Sequence, residues 1–426
     1  MKQTLFLIGL VLSSALCAYG QSNRINYMIA IAKFQDCYNK QQGDSLYATF
    51  AAPMRAALSK EKTQDLLKNL NLQFGKLLST SVVKETAENS VYKGVFEKGN
   101  YYIVFPLNDK NQLNGLFFQP IPEEKNIVET KNASNCNALT QLGDTLFGTL
   151  ENAIQAQPNT PIVLIIAGSG PTDRDGNNLL GVSANSYKML ADSLAQAGIA
   201  SVRYDKRGVG ASAAALKDQS KLRFEDMVAD AVAFIQKIKS LNQYKEIYII
   251  GHSEGSLIGM LAAAQVNNIA GFISIAGAGE SADLIIKRQI KEQQPDLYPE
   301  TERILEQLKQ GKSVQVSNDT LASLFNPSIQ GYMRSWIKYN PQTIINTLSI
   351  PILIIQGTND LQVVMADATN LKKAAPKAQL AVIEGMNHVL KITSKDLEQN
   401  RASYTDPKLA LPSTLIHAIA QFAQAK

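Results

Sequence analysis

Apolar residues along this chain follow two rhythms. Ile25, Ile29, Ala32 and Phe34 recur at helical spacing and open a helix that ends near Gly43. Leu46, Phe50, Met54, Ala57 and Leu58 share one face of a second predicted helix. Leu66, Leu67, Leu70 and Phe74 mark a third, from about Lys60 to Leu78. The period then falls to two. Val91–Glu97, Tyr101–Leu107 and Leu113–Gln119 read as strands separated by polar, turn-forming segments. Helices followed by a strand meander predict a small α+β unit over residues 24–120, with one face of its sheet covered. Pro120, Pro122 and Glu123-Glu124-Lys125 read as a linker.

From Asn126 onward strands and helices alternate. Thr145–Leu150 reads as a strand after the Gly143-Asp144 turn. Later strands are short and almost wholly apolar: Ile162–Ile166, Ala200–Tyr204, Ile247–Ile250, Phe272–Ile275, Ile352–Ile355 and Leu380–Ile383. Continuous apolar runs mean burial on both faces, hence a mostly parallel sheet flanked by helices. Helices are predicted near Ser186–Ala197, Glu225–Lys239, Ser256–Ala264 and Thr414–Ala423. The rhythm breaks at about 280–347, a helical, polar-rich stretch punctuated by Pro295, Pro299, Pro327 and Pro341. An insertion of that length in a regular sheet predicts a cap over a functional site.

The first residues carry a different signal. Lys2, the apolar run Leu5–Leu16 and the small-x-small Ala18-Tyr19-Gly20 predict an export signal over residues 1–20, cut before Gln21. No later stretch approaches about 20 apolar residues, so no stable membrane insertion is expected after cleavage. The expected location is periplasmic or extracellular. Lys+Arg number 42 against 37 Asp+Glu, a net charge of +5 without a basic run, which gives no reason to expect nucleic acid. Cys37 and Cys136 remain after cleavage. In an oxidising compartment they either bridge, closing a loop for which chain entropy gives about 4.7 kcal/mol, or stay as buried thiols.

One motif carries chemistry. Gly251-His252-Ser253-Glu254-Gly255 is G-x-S-x-G, directly after the strand Ile247–Ile250 and directly before an apolar helix. That context is the one a nucleophile elbow demands; the alternative is a glycine-rich turn with an inert Ser. Gly208–Ala213 fits G-x-G-x-x-A but lacks the strand-to-helix context of a dinucleotide site, and Thr172–Gly176 lacks the ligand spacing of a calcium loop. No Walker A, H-E-x-x-H or Cys/His zinc pattern occurs, so neither cofactor nor metal is expected.

With the elbow, the segments Ala167–Asn177 (AGSGPTDRDGN), Arg203–Ser212 (RYDKRGVGAS), Gly357-Thr-Asn-Asp360 and Gly385-Met-Asn-His388 resemble the α/β-hydrolase superfamily over about residues 126–426. The resemblance is strongest to secreted bacterial acyl hydrolases and the serine aminopeptidase-like branch. Residues 24–120 resemble an uncharacterised α+β domain that precedes such hydrolases, which transfers no activity. The resemblance implies Ser253 as nucleophile, His388 as base and Asp360 as the acid that orients it, with Asp283 as the competing acid. His252 is expected to point away from the reacting atoms and His417 to pack within the last helix. The oxyanion hole is implied to use the backbone N–H groups of Ser169 and Glu254, with Ala167-Gly168 replacing the family's His-Gly opening. Glu254 is expected to pair with Arg174 or Arg207. The expected activity is cleavage of carboxylic esters through an acyl-enzyme, on a small-molecule, glycan, lipid or peptide ester. Two alternatives stand beside it: a peptidase acting at peptide N-termini, with cap acids such as Glu280, Glu292 or Asp296 binding the amine, and a non-catalytic binding protein on a hydrolase fold.

Overall fold

The structure, a computed structural model, describes residues 22–85, 90–120, 132–157, 159–178, 181–316 and 318–425. The expected export signal at 1–20 and the linker residues 121–125 lie outside the described residues. The chain divides into two compact units.

The first unit has helices α1 (Ser22–Asn39), α2 (Gly43–Tyr47), α3 (Ala52–Ala57) and α4 (Lys60–Phe74). Strands β1 (Leu77–Glu85), β2 (Ser90–Phe96), β3 (Gly99–Phe105) and β4 (Phe117–Pro120) follow and form an antiparallel sheet in that order. Phe34, Tyr38 and Phe74 from the helices meet Phe96, Tyr101 and Phe118 from the sheet, with ring centroids 3.9–6.3 Å apart. Three expectations need correction. The second predicted helix is two, because Ala51 N–H and Thr49 O bond the backbone of Leu113 and Pro53 starts a new helix. The third helix stops at Phe74, where Gly75 at φ +74° turns the chain; Leu77 and Leu78 begin a strand instead. The strand expected from Leu113 begins only at Phe117, since Leu113 is held in isolated bridges to Phe50 and Leu107.

The second unit carries strands β5 (Ala133–Asn135), β6 (Ala138–Leu139), β7 (Thr145–Leu146), β8 (Gly148–Glu151), β9 (Ile162–Ile166), β10 (Ala200–Tyr204), β11 (Ile247–His252), β12 (Gly271–Ile275), β13 (Ile352–Gly357) and β14 (Gln379–Ile383). Eight of them form one sheet, in the order β14-β13-β12-β11-β9-β10-β8-β5. It is parallel from β14 to β10 and antiparallel at β8 and β5, which is the expected α/β-hydrolase architecture. The predicted strand Thr145–Leu150 is interrupted at Phe147, whose N–H donates to Ser212 Oγ rather than to a ladder partner; β7 pairs with β6 and only β8 joins the large sheet.

Helices cover both faces. Ile162, Leu164 and Ile166 of β9 join a core with α6 (Phe224–Ser240) and α7 (Glu254–Gln265), while Val163 and Ile165 join one with α5 (Ser186–Gln196) and the last helix, α15 (Ser413–Gln424). One strand thus feeds two cores at period two. The inserted region supplies α8 (Ala282–Gln293), α9 (Tyr298–Lys309), α10 (Asp319–Leu324), α11 (Gln330–Trp336) and α12 (Pro341–Asn346), and its Ile304, Leu305 and Met333 are continuous with the α6 and α7 core. Helices α13 (Met365–Ala374), α14 (Leu397–Ala402) and α15 (Ser413–Gln424) complete the unit. Strand order reverses between β9 and β11, because the chain steps from β9 to β10 on one side and returns to β11 on the other. In open α/β sheets a site forms at the carboxyl ends of the strands flanking that reversal. Among the described residues no helix is long and apolar enough to cross a membrane.

Cys37 lies in the aromatic core of the first unit and Cys136 in the core of the second, both as free thiols. Burial pushes both thiols above their usual range.

The loop after β10 is held by a buried bidentate pair: Arg207 Nε and Nη2 donate to Asp230 at 2.8 and 2.6 Å. Removing one partner of such a pair leaves an uncompensated buried charge. Asp144 stands 3.7 Å from Arg207, and the Asp226 charge also acts on it, but neither makes a bidentate contact. Asp230→Ala is therefore expected to cost about 3 kcal/mol, read as a lower urea midpoint by circular dichroism.

Candidate active site

Strand β11 ends at His252 and α7 begins at Glu254, leaving Ser253 alone at the turn with φ +55° and ψ −122°. A non-glycine residue in that region is strained, and such strain concentrates at functional sites. The turn is tight through close approach. A Cβ on Gly251 would sit 2.3 Å from Gly255 O, and one on Gly255 would sit 2.3 Å from Ile166 O. Ser253 N–H donates to Ile275 O of β12 at 2.9 Å, which anchors the strained residue to the sheet.

The loop after β9 passes beside this turn; a Cβ on Gly168 would lie 3.1 Å from Ser253 Cβ. Both sides of Gly168 are held. Its N–H donates to Tyr187 Oη at 3.1 Å and its carbonyl accepts from Lys206 Nζ at 3.0 Å. With the Gly168 N–H directed to Tyr187, the next N–H in the loop, that of Ser169, is the candidate oxyanion donor. The second candidate, Glu254 N–H, belongs to the first turn of α7, where no helical carbonyl takes it. Ser169, Ser253 and Glu254 line one pocket.

His388, in the loop after β14, places Nδ1 2.9 Å from Asp360 Oδ2. Asp360, in the loop after β13, accepts at Oδ1 from the N–H groups of Gln362 and Val363 at 2.8 and 2.9 Å. The two side chains are 8% and 1% exposed. An ionised carboxylate only accepts, so His388 carries its proton on Nδ1 and leaves Nε2 as an acceptor. Asp283, the competing acid, accepts from Ser281 Oγ and pairs with Lys309, and makes no contact of this kind with His388. Among the described residues no hydrogen bond joins Ser253 Oγ to His388, a contact that commonly tightens only when substrate is in place.

His252 does point away from the pocket, into a buried chain. Its Nε2 lies 2.8 Å from the His388 carbonyl, so Nε2 donates. Nδ1 therefore accepts, taking the Tyr187 hydroxyl proton at 2.8 Å. Gly168 N–H, Tyr187, His252 and the His388 carbonyl thus form one directed series. Burial, with the neighbouring His388 second, pushes the His252 pKa down to about 3.

Glu254 is paired, though not as expected. Arg174 is committed to Asp205 and Arg207 to Asp230. Lys206, the residue between Asp205 and Arg207 in the chain, reaches Glu254 Oε2 at 3.0 Å, and Tyr332 of the cap donates to Oε1 at 2.8 Å. Burial, then the Glu254 charge, holds the Tyr332 hydroxyl well above its usual pKa. His417 is exposed on α15 rather than packed, since Leu415 and Ile419 take the buried face of that helix. Sequence reasoning missed Tyr187, Lys206 and Tyr332. Lys206 stood inside the quoted RYDKRG motif; Tyr187 and Tyr332 carry no local signal, because distant segments bring them to the site.

The pocket wall is mostly apolar, lined by Leu257, Ala282, Ile285, Trp336 and Val363 along with Ser253. Glu280 also lines it, but Arg288 holds Glu280 Oε2 at 2.7 Å while bonding the fully buried Asp367 at 2.8 Å.

His252 has a testable signature. Its folded pKa lies below the unfolded value of about 6.5, so its contribution to stability is complete above pH 6.5 and is lost as pH falls toward 3. In His252→Asn the denaturant midpoint is expected to fall less between pH 7 and pH 4 than in the parent; an unchanged pH dependence contradicts the neutral, buried assignment.

The sequence family described as serine aminopeptidase, S33, matches residues 180–396, just over half of the chain. Esterase EstD of Thermotoga maritima is 24% identical over 355 residues, spanning 79% of this chain and 81% of that protein. Among solved structures, an esterase of Pyrococcus furiosus aligns with TM-score 0.44 at 14% identity, covering 68% of this chain and 91% of that one. Est1E of Butyrivibrio proteoclasticus aligns with TM-score 0.42 at 17% identity, covering 68% and 99%. With the sheet order, the elbow and the family match in place, the chain belongs to the serine aminopeptidase S33 family of α/β-hydrolases.

Proposed function

We propose that this chain is an exported serine hydrolase that cleaves carboxylic esters of short acyl groups. The observation that carries the reading is the buried His388–Asp360 hydrogen bond, whose His follows the last strand of a sheet that also presents a strained Ser253. The likeness to a protein named an esterase supports the substrate class. Export rests on the Lys2 and Leu5–Leu16 pattern.

In this mechanism Ser253 Oγ attacks the acyl carbonyl while its proton passes to His388 Nε2. The Nδ1–H bond to Asp360 keeps the ring in the required tautomer and stabilises its charged form. The negative oxygen of the tetrahedral intermediate is received by the N–H groups of Ser169 and Glu254, the latter at the positive end of α7. His388 then protonates the departing alcohol. Water, deprotonated by His388, attacks the acyl-enzyme, and the acid leaves as Ser253 regains its proton. Lys206 offsets the Glu254 carboxylate, which otherwise places a negative charge beside the developing oxyanion.

Acyl length follows from space. The cavity beside Ser253 is tight, about 40 Å³. That suits acetyl to butyryl chains. A peptidase reading is favoured by one observation, the Glu280 carboxylate in the pocket wall, which a free amine would seek. Its engagement by Arg288 weakens that attraction and favours a neutral substrate.

Ser253→Ala is expected to abolish ester turnover with an unchanged circular dichroism spectrum. Asp360→Asn is expected to lower kcat by on the order of 10³–10⁴, while Asp283→Asn stays within a few-fold; the reverse ranking makes Asp283 the acid. On p-nitrophenyl esters, kcat/KM is expected to fall steeply beyond butyrate, and a maximum at long chains contradicts the assigned acyl pocket. Aminoacyl amides with free N-termini are expected to be spared. Their Ser253-dependent cleavage, suppressed by Glu280→Gln, establishes the peptidase instead.

A further inference from the structure

The cap holds a second, larger cavity, of about 450 Å³, whose lining shares no residue with the Ser253 pocket. It lies between the start of α6, the end of α9 and α11. Arg223, Lys309, Arg334 and Lys338 stand around it, and its lining contains no Asp or Glu. Lys309 is neutralised by Asp283 and Glu306. The other three have no carboxylate partner among the described residues. Arg223 Nη1 donates to the carbonyls of Ser220 and Leu222 at 2.9 and 2.8 Å. Arg334 Nη1 reaches Lys312 O and Ser313 Oγ at 3.4 and 3.2 Å. Lys338 is exposed, and no partner of its side chain occurs among the described residues.

Several other cap cations are compensated, Lys287 by Glu302 and Glu306, Arg288 by Glu280 and Asp367, Arg303 by Glu300, whereas Lys291 stands over the Tyr298 ring and does not line this cavity. Three uncompensated cations around one concavity repel each other and focus a positive potential inside it. Two of them are guanidinium groups, whose forked donors match tetrahedral oxyanions. Both keep donors beyond the carbonyl and hydroxyl contacts just given. Gly331 lets Arg223 lie against the α11 backbone, where a Cβ would meet its Nη1 at 2.3 Å, so this side chain is positioned by packing. Leu308 and Ile337 complete the wall with apolar surface.

We propose that this cavity binds a small multivalent phosphate, held by Arg223, Arg334 and Lys338. Ligands carrying two or more phosphate charges gain most, because each cation adds its own attraction. The site is independent of the reaction at Ser253, so its test is a binding measurement.

Isothermal titration of the full mature chain at low ionic strength uses two probes, inorganic tripolyphosphate and fructose 1,6-bisphosphate, with chloride matched in the reference cell. Saturable one-to-one binding of either is expected, weakening steeply with added salt. The tighter of the two identifies the source as inorganic or organic phosphate. Arg334→Gln/Lys338→Gln is expected to weaken binding at least tenfold. Lys338→Glu, at an exposed side chain, gives a second reading should the double variant misfold, and is also expected to weaken binding. Absence of saturable binding, or equal binding by parent and variants, overturns the proposal.

Discussion

The contact on which the candidate site depends is the approach of α7 to the carboxyl end of β9, where Gly255 leaves no room for a side chain against Ile166 O. That approach brings the first turn of α7 directly over the point where strand order reverses. It compresses the link from β11 to one residue, and Ser253 takes the left-handed conformation as a result. The sheet and the helix are both rigid, so the strain is absorbed at the turn. The hydrogen bond from Ser253 N–H to β12 then prevents its release by a shift of the backbone.

A buried polar layer completes what this contact begins. Two series of hydrogen bonds meet at the Gly168 peptide, one through Tyr187 and His252 to the His388 loop, the other through Lys206 and Glu254 to the cap. Each buried donor in these series has an acceptor, and the direction of each proton follows from chemistry. A satisfied network of this kind is rigid, whereas a half-satisfied one is worse than an apolar core. Its members come from three loops, three helices and strand β11, so the positions of Ser169, Ser253 and His388 are mutually determined.

The parallel sheet was legible because its strands are apolar on both faces, and the elbow because two glycines flank Ser253 between a strand and a helix. His388 and Asp360 were legible from the segments after the last two strands, and the structure places them in hydrogen-bond contact. Local patterns failed where tertiary partners decided the outcome. Leu77 and Leu78 continue the apolar stripe of α4 yet enter β1, where Leu77 pairs with Phe96 of β2, because Gly75 reverses the chain. Phe147 breaks a regular strand because Ser212, 65 residues away, takes its N–H. The partner of Glu254 was misread for the same reason. Three consecutive positions, Asp205, Lys206 and Arg207, differ in which neighbour each finds, and that depends on where Arg174 and Asp230 arrive in space.

The Tyr332–Glu254 hydrogen bond ties the cap to the residue beside Ser253. A cap that lifted as a hinged lid would strand a buried carboxylate oxygen, at about 1–3 kcal/mol or more for a charged group. Admission by gaps between its helices, with α11 left seated, avoids that cost. The entrance then acts as a fixed aperture, and the size of the molecules admitted is set by the width of those gaps rather than by how far a lid can swing.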